Sequence, residues 1–158
     1  MEEFVWYNYG EWLTFSQIKL DPYDCGVTHG DQVADVERTF NGNLTEGSLF
    51  NVFIVTQGVI RTPTDRATLA GISRAMALDL AKQLGIPAYE EDLQPYDLYT
   101  ADECFFTSTP FSVLPATQVD RRSIGDSRPG LITQQLLAAW SEAVGLDIVD
   151  QTLRFTRE

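Results

Sequence analysis

Positive charge is scarce in this chain, and that excludes two classes of partner. The 158 residues include 11 Lys and Arg in total against 23 Asp and Glu, which gives a formal net charge of −12. A surface with this balance repels the phosphates of nucleic acids and of anionic lipids. We therefore expect neither nucleic acid nor a membrane surface as a partner.

Signals for export or membrane insertion are also lacking. The first residues, 1–4, do not form a basic region followed by an apolar run, so no signal peptide is predicted. No apolar stretch approaches the length of about 20 residues that a helix needs to cross a bilayer. We therefore expect a cytoplasmic protein.

Histidine is limited to His29, so a metal site with two histidine ligands is excluded. Asp24, Asp31 and Asp35 surround His29 in sequence and could form a carboxylate-rich metal pocket with it. Acidic residues at the positive end of a helix dipole give the same pattern, however. We predict no metal site.

The two cysteines, Cys25 and Cys104, belong to no CxxC pair, so a metal cluster is not expected and a disulfide is unsupported. Cys25 and His29 could form a nucleophile–base pair, but their spacing gives no assurance of contact. Cys104 precedes two phenylalanines, and this apolar setting predicts a buried, inert thiol.

What the chain does contain is a globular composition, with 44% hydrophobic and 11% aromatic residues. Its first part predicts a β-hairpin over 4–15 with a turn at 8–10, and then a strand over 17–20. A helix is predicted over 30–40, where Val33, Val36 and Phe40 have helical spacing. We expect Asn41 and Gly42 to close that helix.

The second part predicts another hairpin over 51–63, a short helix over 95–102, and strands over 103–107 and 112–114. Two longer amphipathic helices are also predicted. Their apolar positions recur every four residues: Ile72, Met76, Leu80 and Leu84 in the first, which ends at Gly85, and Ile132, Leu136, Trp140 and Val144 in the second, over 129–145. The order of elements indicates a mixed architecture of the α+β class.

Small and hydroxyl residues give the most specific chemical signal. Residues 71–73 open a helix, where free backbone N–H groups and the helix dipole favour a phosphate. Residues 107–109 end a strand and could supply further donors. A helix cap and a strand-end turn explain the same residues, and the residues alone favour that simpler explanation.

Several short motifs occur in an order and at a spacing that resemble one enzyme family. They lie at residues 41–42, 45–48, 51–53, 69–74, 99–103, 107–109 and 115–125. Together they resemble the fold-type IV pyridoxal-phosphate aminotransferases, the branched-chain and D-amino-acid aminotransferase group. The resemblance covers 4–42 and 45–133, and a long family segment that lies between these stretches is missing here.

The resemblance implies a mixed α/β remnant of the two-domain fold-type IV architecture. Residues 1–43 would be a fragment of the small domain, and 44–158 the later half of the large cofactor domain. It implies transfer of an amino group from a branched-chain type of amino acid to 2-oxoglutarate, with pyridoxal 5′-phosphate as cofactor. It also implies a homodimer or pairing with a relative.

The resemblance also assigns roles to individual residues. Glu46 would pair with the pyridine nitrogen and keep the ring protonated, which strengthens it as an electron sink. The backbone groups of Ile72 and Ser73, with Thr109, would hold the cofactor phosphate. Ser108 and Pro110 would lie near the substrate carboxylate.

Three departures from the family bear on activity. The chain has two lysines, Lys19 and Lys82, and neither stands where the family has its Schiff-base lysine. The family's phosphate-gripping arginine from the missing segment has no counterpart, and Ala34 replaces an aromatic residue of the substrate pocket. Transamination needs the lysine both to hold the cofactor and to move a proton.

These departures predict a weak or inactive aminotransferase. The alternative is a non-catalytic binding module that pairs with a full-length relative. A third reading is a working enzyme whose lysine is Lys82.

Overall fold

The structure is a computed structural model that describes residues 4–8, 11–14, 39–47, 49–66 and 68–155. Its strands are β1 Phe4–Asn8, β2 Glu11–Thr14, β3 Thr39–Phe40, β4 Asn43–Leu44, β5 Asn51–Thr56, β6 Val59–Thr62, β7 Ala88–Glu90, β8 Glu103–Ser108, β9 Ser112–Ala116, β10 Gln118–Val119 and β11 Arg122–Ser123. Its helices are α1 Ile72–Gln83, α2 Pro95–Tyr99, α3 Leu131–Val144 and α4 Ile148–Phe155. Among the described residues, no helix is long and apolar enough to cross a membrane.

A five-stranded sheet in the order β7-β6-β5-β8-β9 organises the described part of the chain. Its neighbours are antiparallel except β6 and β7, which run parallel because α1 connects them as a crossover. Three antiparallel hairpins, β1-β2, β3-β4 and β10-β11, complete the strands. The α+β fold class expected from the sequence is confirmed.

The two faces of β5 and β8 bury different clusters because side chains alternate along a strand. On one face Val52, Ile54 and Phe106 pack into a cluster that includes residues from β4 and α2. On the other face the rings of Phe53 and Phe105 stack with centroids 4.8 Å apart, beneath α1 and α3. β5 is therefore a central strand covered on both sides, which explains its continuous apolar run.

Most predicted elements of the second part are confirmed, with ends shifted by a few residues. The hairpin β5-β6, the strands β8 and β9, and the helices α1, α2 and α3 all occur where the sequence placed them. The N-terminal hairpin is confirmed as β1-β2. The predicted strand over 17–20, and residues 30–38 of the predicted helix, lie outside the described residues.

The predicted helix end at Asn41 and Gly42 is wrong. Thr39–Phe40 and Asn43–Leu44 are paired strands, and the two residues between them form the hairpin turn. Both have positive φ, 53° at Asn41 and 86° at Gly42, which is the backbone of a type I′ turn. The Asn-Gly pair indicates such a turn at least as strongly as a helix end, and here the hairpin forms.

The predicted buried face of α1 is also displaced. Ile72 is 86% exposed and Leu84 is exposed, whereas Ser73, Ala77 and Leu80 are buried. A strict four-residue repeat drifts around a helix of 3.6 residues per turn, so the ends of the predicted stripe leave the core. The exposed Ile72 is thereby placed at the open start of the helix.

The sequence reasoning did not find β7, the β10-β11 hairpin or α4. β7 has only three residues, with mostly exposed side chains, so it carries no apolar pattern. The predicted burial of Cys104 is confirmed, and burial raises the pKa of its thiol. Cys25 and His29 lie outside the described residues, and the domain boundary at 43/44 stays a prediction.

Candidate functional site

A tight loop between β4 and β5 presents Glu46. The loop closes through a hydrogen bond from Gly47 N to the Phe50 carbonyl oxygen, 3.0 Å, and Glu46 forms a bridge with Asn51 at the start of β5. A Cβ at Gly47 would lie 2.2 Å from the Phe50 ring, so any other residue here would displace that ring. The loop geometry therefore fixes the backbone of Glu46 against the sheet.

The carboxylate of Glu46 connects this loop to the segment before α1. Its Oε2 accepts hydrogen bonds from Asn51 Nδ2, 2.9 Å, and from the backbone nitrogen of Leu69, 2.8 Å. Asn51 Nδ2 also donates to the Leu69 carbonyl oxygen, 2.9 Å. Glu46 therefore lies beside the residues that lead into the helix.

The N-terminus of α1 is the second part of the site. Gly71 is its N-cap, in extended conformation with φ −67° and ψ 139°, and makes no side-chain cap. A Cβ at Gly71 would lie 2.2 Å from Asn51 Oδ1, so only glycine leaves Asn51 in place. The N–H groups of Ile72 and Ser73 belong to the first turn, where the helix dipole favours an anion.

The end of β8 forms the third part. Thr107 pairs with Asn51 across β5 and β8, so the end of β8 lies beside the start of β5. The hydroxyl of Thr107 is buried and has no hydrogen-bond partner in the described part of the chain. Thr109 and Pro110 follow in the exposed turn before β9.

The structure brings Glu46, Ile72 and Ser73 together at one end of the sheet. Thr109 and Pro110 lie at the same end, just beyond β8. The side chain of Ser108 donates to the Leu49 carbonyl oxygen, 2.8 Å, so its hydroxyl holds the loop that carries Glu46. The binding roles of these residues stay predictions.

Sequence reasoning included Asn51 and Leu69 in family motifs and Thr107 among possible donors, but it assigned none of them a contact of its own in this site. Asn51 stood in the motif 51–53 and inside a predicted strand, where it was a polar residue among apolar ones. Leu69 is 72% exposed next to the Glu46 carboxylate, and Ile72 is 86% exposed one turn away along the chain. Apolar exposure beside a carboxylate and an open helix start suits a flat, partly apolar molecule that carries a phosphate.

Lys82 lies far from this site. It is exposed in the last turn of α1, about 15 Å along the helix axis from Ile72. An extended lysine side chain does not span that distance. Lys19 lies outside the described residues, and within the described ranges no group of three or more His, Cys, Asp or Glu side chains could hold a metal ion.

Comparison with known proteins places this geometry in context. Residues 39–119 match the family described as amino-transferase class IV. The branched-chain-amino-acid aminotransferase of Pseudomonas aeruginosa is 42% identical over 103 residues, which cover 65% of this chain and 34% of that protein. The D-alanine aminotransferase of Listeria monocytogenes is 42% identical over 94 residues, covering 59% and 32%.

A solved structure agrees with the sequence matches. The crystal structure of an aminotransferase from Brucella abortus bound to the cofactor PLP superposes with a TM-score of 0.65 and 30% identity, over 70% of this chain and 39% of that one. The chain spans about a third of the length of the two curated relatives.

Proposed function

This chain belongs to the class IV aminotransferases, and we propose that it binds pyridoxal 5′-phosphate without a covalent bond and transaminates weakly or not at all. Its substrates, where it turns over, would be a branched-chain type of amino acid and 2-oxoglutarate. The division into a small-domain fragment over 1–43 and part of the cofactor domain over 44–158 belongs to the same proposal.

The start of α1 fits the phosphate of this cofactor. Gly71 keeps the helix start open and gives it no side-chain cap, so the N–H groups of Ile72 and Ser73 can bind an anion. The buried hydroxyl of Thr107, unpartnered in the described part of the chain, lies beside Asn51 at this end of the sheet. Thr109 would add a further hydroxyl from the turn before β9.

The surroundings of Glu46 fit the ring of the cofactor. Both described hydrogen bonds to this carboxylate go to Oε2, and Oε1 can hold a proton at the pyridine nitrogen. Leu69, mostly exposed, offers an apolar surface next to the carboxylate. When bound, the cofactor supplies an electron-withdrawing ring, which the carboxylate strengthens by keeping the nitrogen protonated.

The catalytic step lacks its base. Moving a proton in transamination needs a basic side chain within hydrogen-bond reach of the reacting carbon. Lys82 is at the far end of α1, and the charge of Glu46 would be paired with the ring nitrogen of a bound cofactor. Binding and ring orientation are therefore expected to persist better than turnover. Ser108 and Pro110 would still flank the substrate carboxylate.

One observation carries the proposal: Glu46 Oε2 accepts a hydrogen bond from Leu69 N, two residues before the N-cap of α1. The groups for the pyridine nitrogen and the phosphate come from segments 23 residues apart in sequence and meet through this bond.

The test is a titration with pyridoxamine 5′-phosphate, which has no aldehyde and cannot react with surface lysines. We expect saturable binding by fluorescence, and loss of binding with pyridoxamine, which lacks the phosphate. Glu46→Gln should weaken binding by about tenfold or more, because a charge-assisted hydrogen bond contributes about 1.5–3 kcal/mol. Glu142→Gln removes an exposed carboxylate from α3 and should leave the affinity unchanged.

A second experiment asks whether any lysine bonds to the cofactor. After incubation with pyridoxal 5′-phosphate and borohydride reduction, peptide mapping should find no stoichiometric adduct at Lys82 or Lys19. A stoichiometric adduct at either lysine, together with turnover of an amino acid and 2-oxoglutarate, would contradict the proposed inactivity. Failure of the wild-type chain to bind pyridoxamine 5′-phosphate would end the proposal of cofactor binding.

Pairing with a second copy or with a full-length relative is the second candidate. Within the described residues β9 has one sheet neighbour, β8, so its other edge presents backbone groups to a strand of another chain. Light scattering during gel filtration should then give twice the mass of a single chain, or a complex when a full-length relative is added. A single-chain mass in both cases excludes this candidate.

A further inference from the structure

We propose that Asn51 is a positioning residue that holds the Glu46 carboxylate and the start of α1 in one fixed arrangement. This inference rests on the proposed function, because it assigns the residue that fixes the carboxylate for the cofactor ring relative to the helix start for the cofactor phosphate. Asn51 itself need not touch the cofactor.

The amide of Asn51 bridges the two segments of the site. A single Nδ2 carries two N–H donors. It lies 2.9 Å from Glu46 Oε2 and 2.9 Å from the Leu69 carbonyl oxygen. Leu69 N donates to the same Oε2, 2.8 Å away, so the amide, the carboxylate and the Leu69 backbone are mutually hydrogen-bonded. Neither segment can shift without breaking at least one of these bonds.

Asn51 is itself anchored in the sheet. It begins β5, pairs with Thr107 in β8, and is 6% exposed. Its Oδ1 occupies the space beside Gly71, since a Cβ there would lie 2.2 Å away. Asn51 thus fixes both Glu46 and the N-cap of α1 relative to the strand β5.

A purely structural role would predict something different from a positioning role. If Asn51 only satisfied buried polar groups, its replacement would lower the free energy of unfolding and affect cofactor binding no more than any equally destabilising change. If it acts through Glu46, the effect on binding should depend on the presence of the Glu46 carboxylate. A double-mutant cycle separates these cases.

The cycle uses Asn51→Asp, which keeps the shape but loses both donors, and Asn51→Leu, which adds no charge. Each is combined with Glu46→Gln, and pyridoxamine 5′-phosphate is titrated throughout. We expect either Asn51 change to weaken binding about tenfold with Glu46 present, and less than about twofold in the Glu46→Gln background. An equal loss in both backgrounds would overturn the inference.

Thr62→Val is the matched control. The Thr62 hydroxyl donates to the Val52 carbonyl oxygen, 2.8 Å, so this change also removes a buried hydrogen bond to β5. The hydrogen bond that is lost involves neither Glu46 nor α1. Its unfolding free energy should fall to a similar extent while the affinity for pyridoxamine 5′-phosphate stays unchanged. Equal losses of affinity in this control and in the Asn51 variants would also overturn the inference.

Hydrogen exchange of the apo-protein tests the arrangement even if the wild-type chain binds no cofactor. In Asn51→Leu the amide of Leu69 should exchange about tenfold faster than in Thr62→Val, since its bond to Oε2 is no longer held in place. Unchanged exchange at Leu69 in Asn51→Leu would refute the positioning role. If Leu69 exchanges faster as expected but the wild-type chain does not bind pyridoxamine 5′-phosphate, only the proposed cofactor site is refuted.

Discussion

The starts of α1 and α3 form a natural pair, and they differ in how their N–H groups are satisfied. Both helices follow a glycine in extended conformation, Gly71 and Gly130, and neither glycine supplies a side-chain cap. At α3 the carboxylate of Glu103 reaches over from β8 and accepts bonds from Ile132 N, 3.0 Å, and Thr133 N, 2.9 Å. At α1 the carboxylate of Glu46 stops two residues short of the N-cap and accepts from Leu69 instead.

The N-terminus of α3 is therefore capped by a side chain, whereas, within the part of the chain that the structure describes, the N-terminus of α1 is not capped in this way. Both oxygens of Glu103 bind helix groups, and the hydroxyl of Thr133 adds a third bond, 2.7 Å, so α3 is complete without a ligand. Among the described residues, no carboxylate accepts from the N–H groups at the start of α1 in this way, although that of Glu46 lies close by. An anion-binding role therefore fits α1 and not α3, even though both begin with glycine.

The largest effect expected from this comparison is the loss of the α3 cap. Glu103→Ala removes three hydrogen bonds to a charged acceptor and leaves the buried Thr133 hydroxyl unpaired. We expect the free energy of unfolding to fall by about 3 kcal/mol, measured by urea denaturation. Glu103→Gln keeps an acceptor in place and should lose about half as much.

The control for this prediction is Glu46→Gln, whose carboxylate caps no helix. We expect it to change the free energy of unfolding by less than about 1 kcal/mol, while Glu103→Gln leaves the affinity for pyridoxamine 5′-phosphate intact. If Glu46→Gln lowered the free energy of unfolding as much as Glu103→Gln does, the two carboxylates would stabilise the fold equally and the comparison would fail.

The two glycines sharpen the comparison. A Cβ at Gly130 would lie 2.0 Å from Glu103 Cδ, and a Cβ at Gly71 would lie 2.2 Å from Asn51 Oδ1. Each Gly→Ala change is compatible with the local φ, so its effect comes from the side chain it displaces. Both should destabilise by about 2 kcal/mol. Gly71→Ala alone should also weaken binding of pyridoxamine 5′-phosphate, and equal binding losses in both variants would contradict this.

The sequence predicted most of the larger elements because their patterns are local. The apolar run of β5 and the turn residues Gln57 and Gly58, with φ of 51° and 77°, specify a hairpin within a dozen residues. β7 could not be found in this way, because a three-residue strand is fixed by α1 returning it beside β6. Asn41 and Gly42 are compatible with either a helix end or a hairpin turn, and the hairpin forms because the flanking residues pair as strands.

The candidate site was predictable only in part. Glu46 and the start of α1 were placed by resemblance, and each also has a local motif. Asn51 and Leu69 join them through hydrogen bonds between segments up to 23 residues apart, which no periodicity reveals. Glu103 lay in the motif 99–103, but its capping of α3 was not predicted for the same reason, since its partners lie 29 and 30 residues further along the chain. The cytoplasmic location stays a prediction.

The smallest expected effects come from replacing two buried threonines by valine. The free energy of unfolding should fall in one case and rise in the other. The Thr133 hydroxyl donates to Glu103 Oε2, whereas the Thr107 hydroxyl has no partner among the described residues. Thr133→Val should lower the free energy of unfolding by about 1.5 kcal/mol, because it removes a bond to a charged group.

Thr107→Val should raise the free energy of unfolding by about 0.5–1 kcal/mol, because a buried hydroxyl without a partner is replaced by an apolar group of the same shape. Urea denaturation of both variants without cofactor measures the difference. A loss at Thr107 as large as that at Thr133 would mean that its hydroxyl is already satisfied inside the protein. The polar groups at the end of β8 would then be satisfied within the protein, like those at the start of α3, and the Thr107 hydroxyl would not be available to the phosphate.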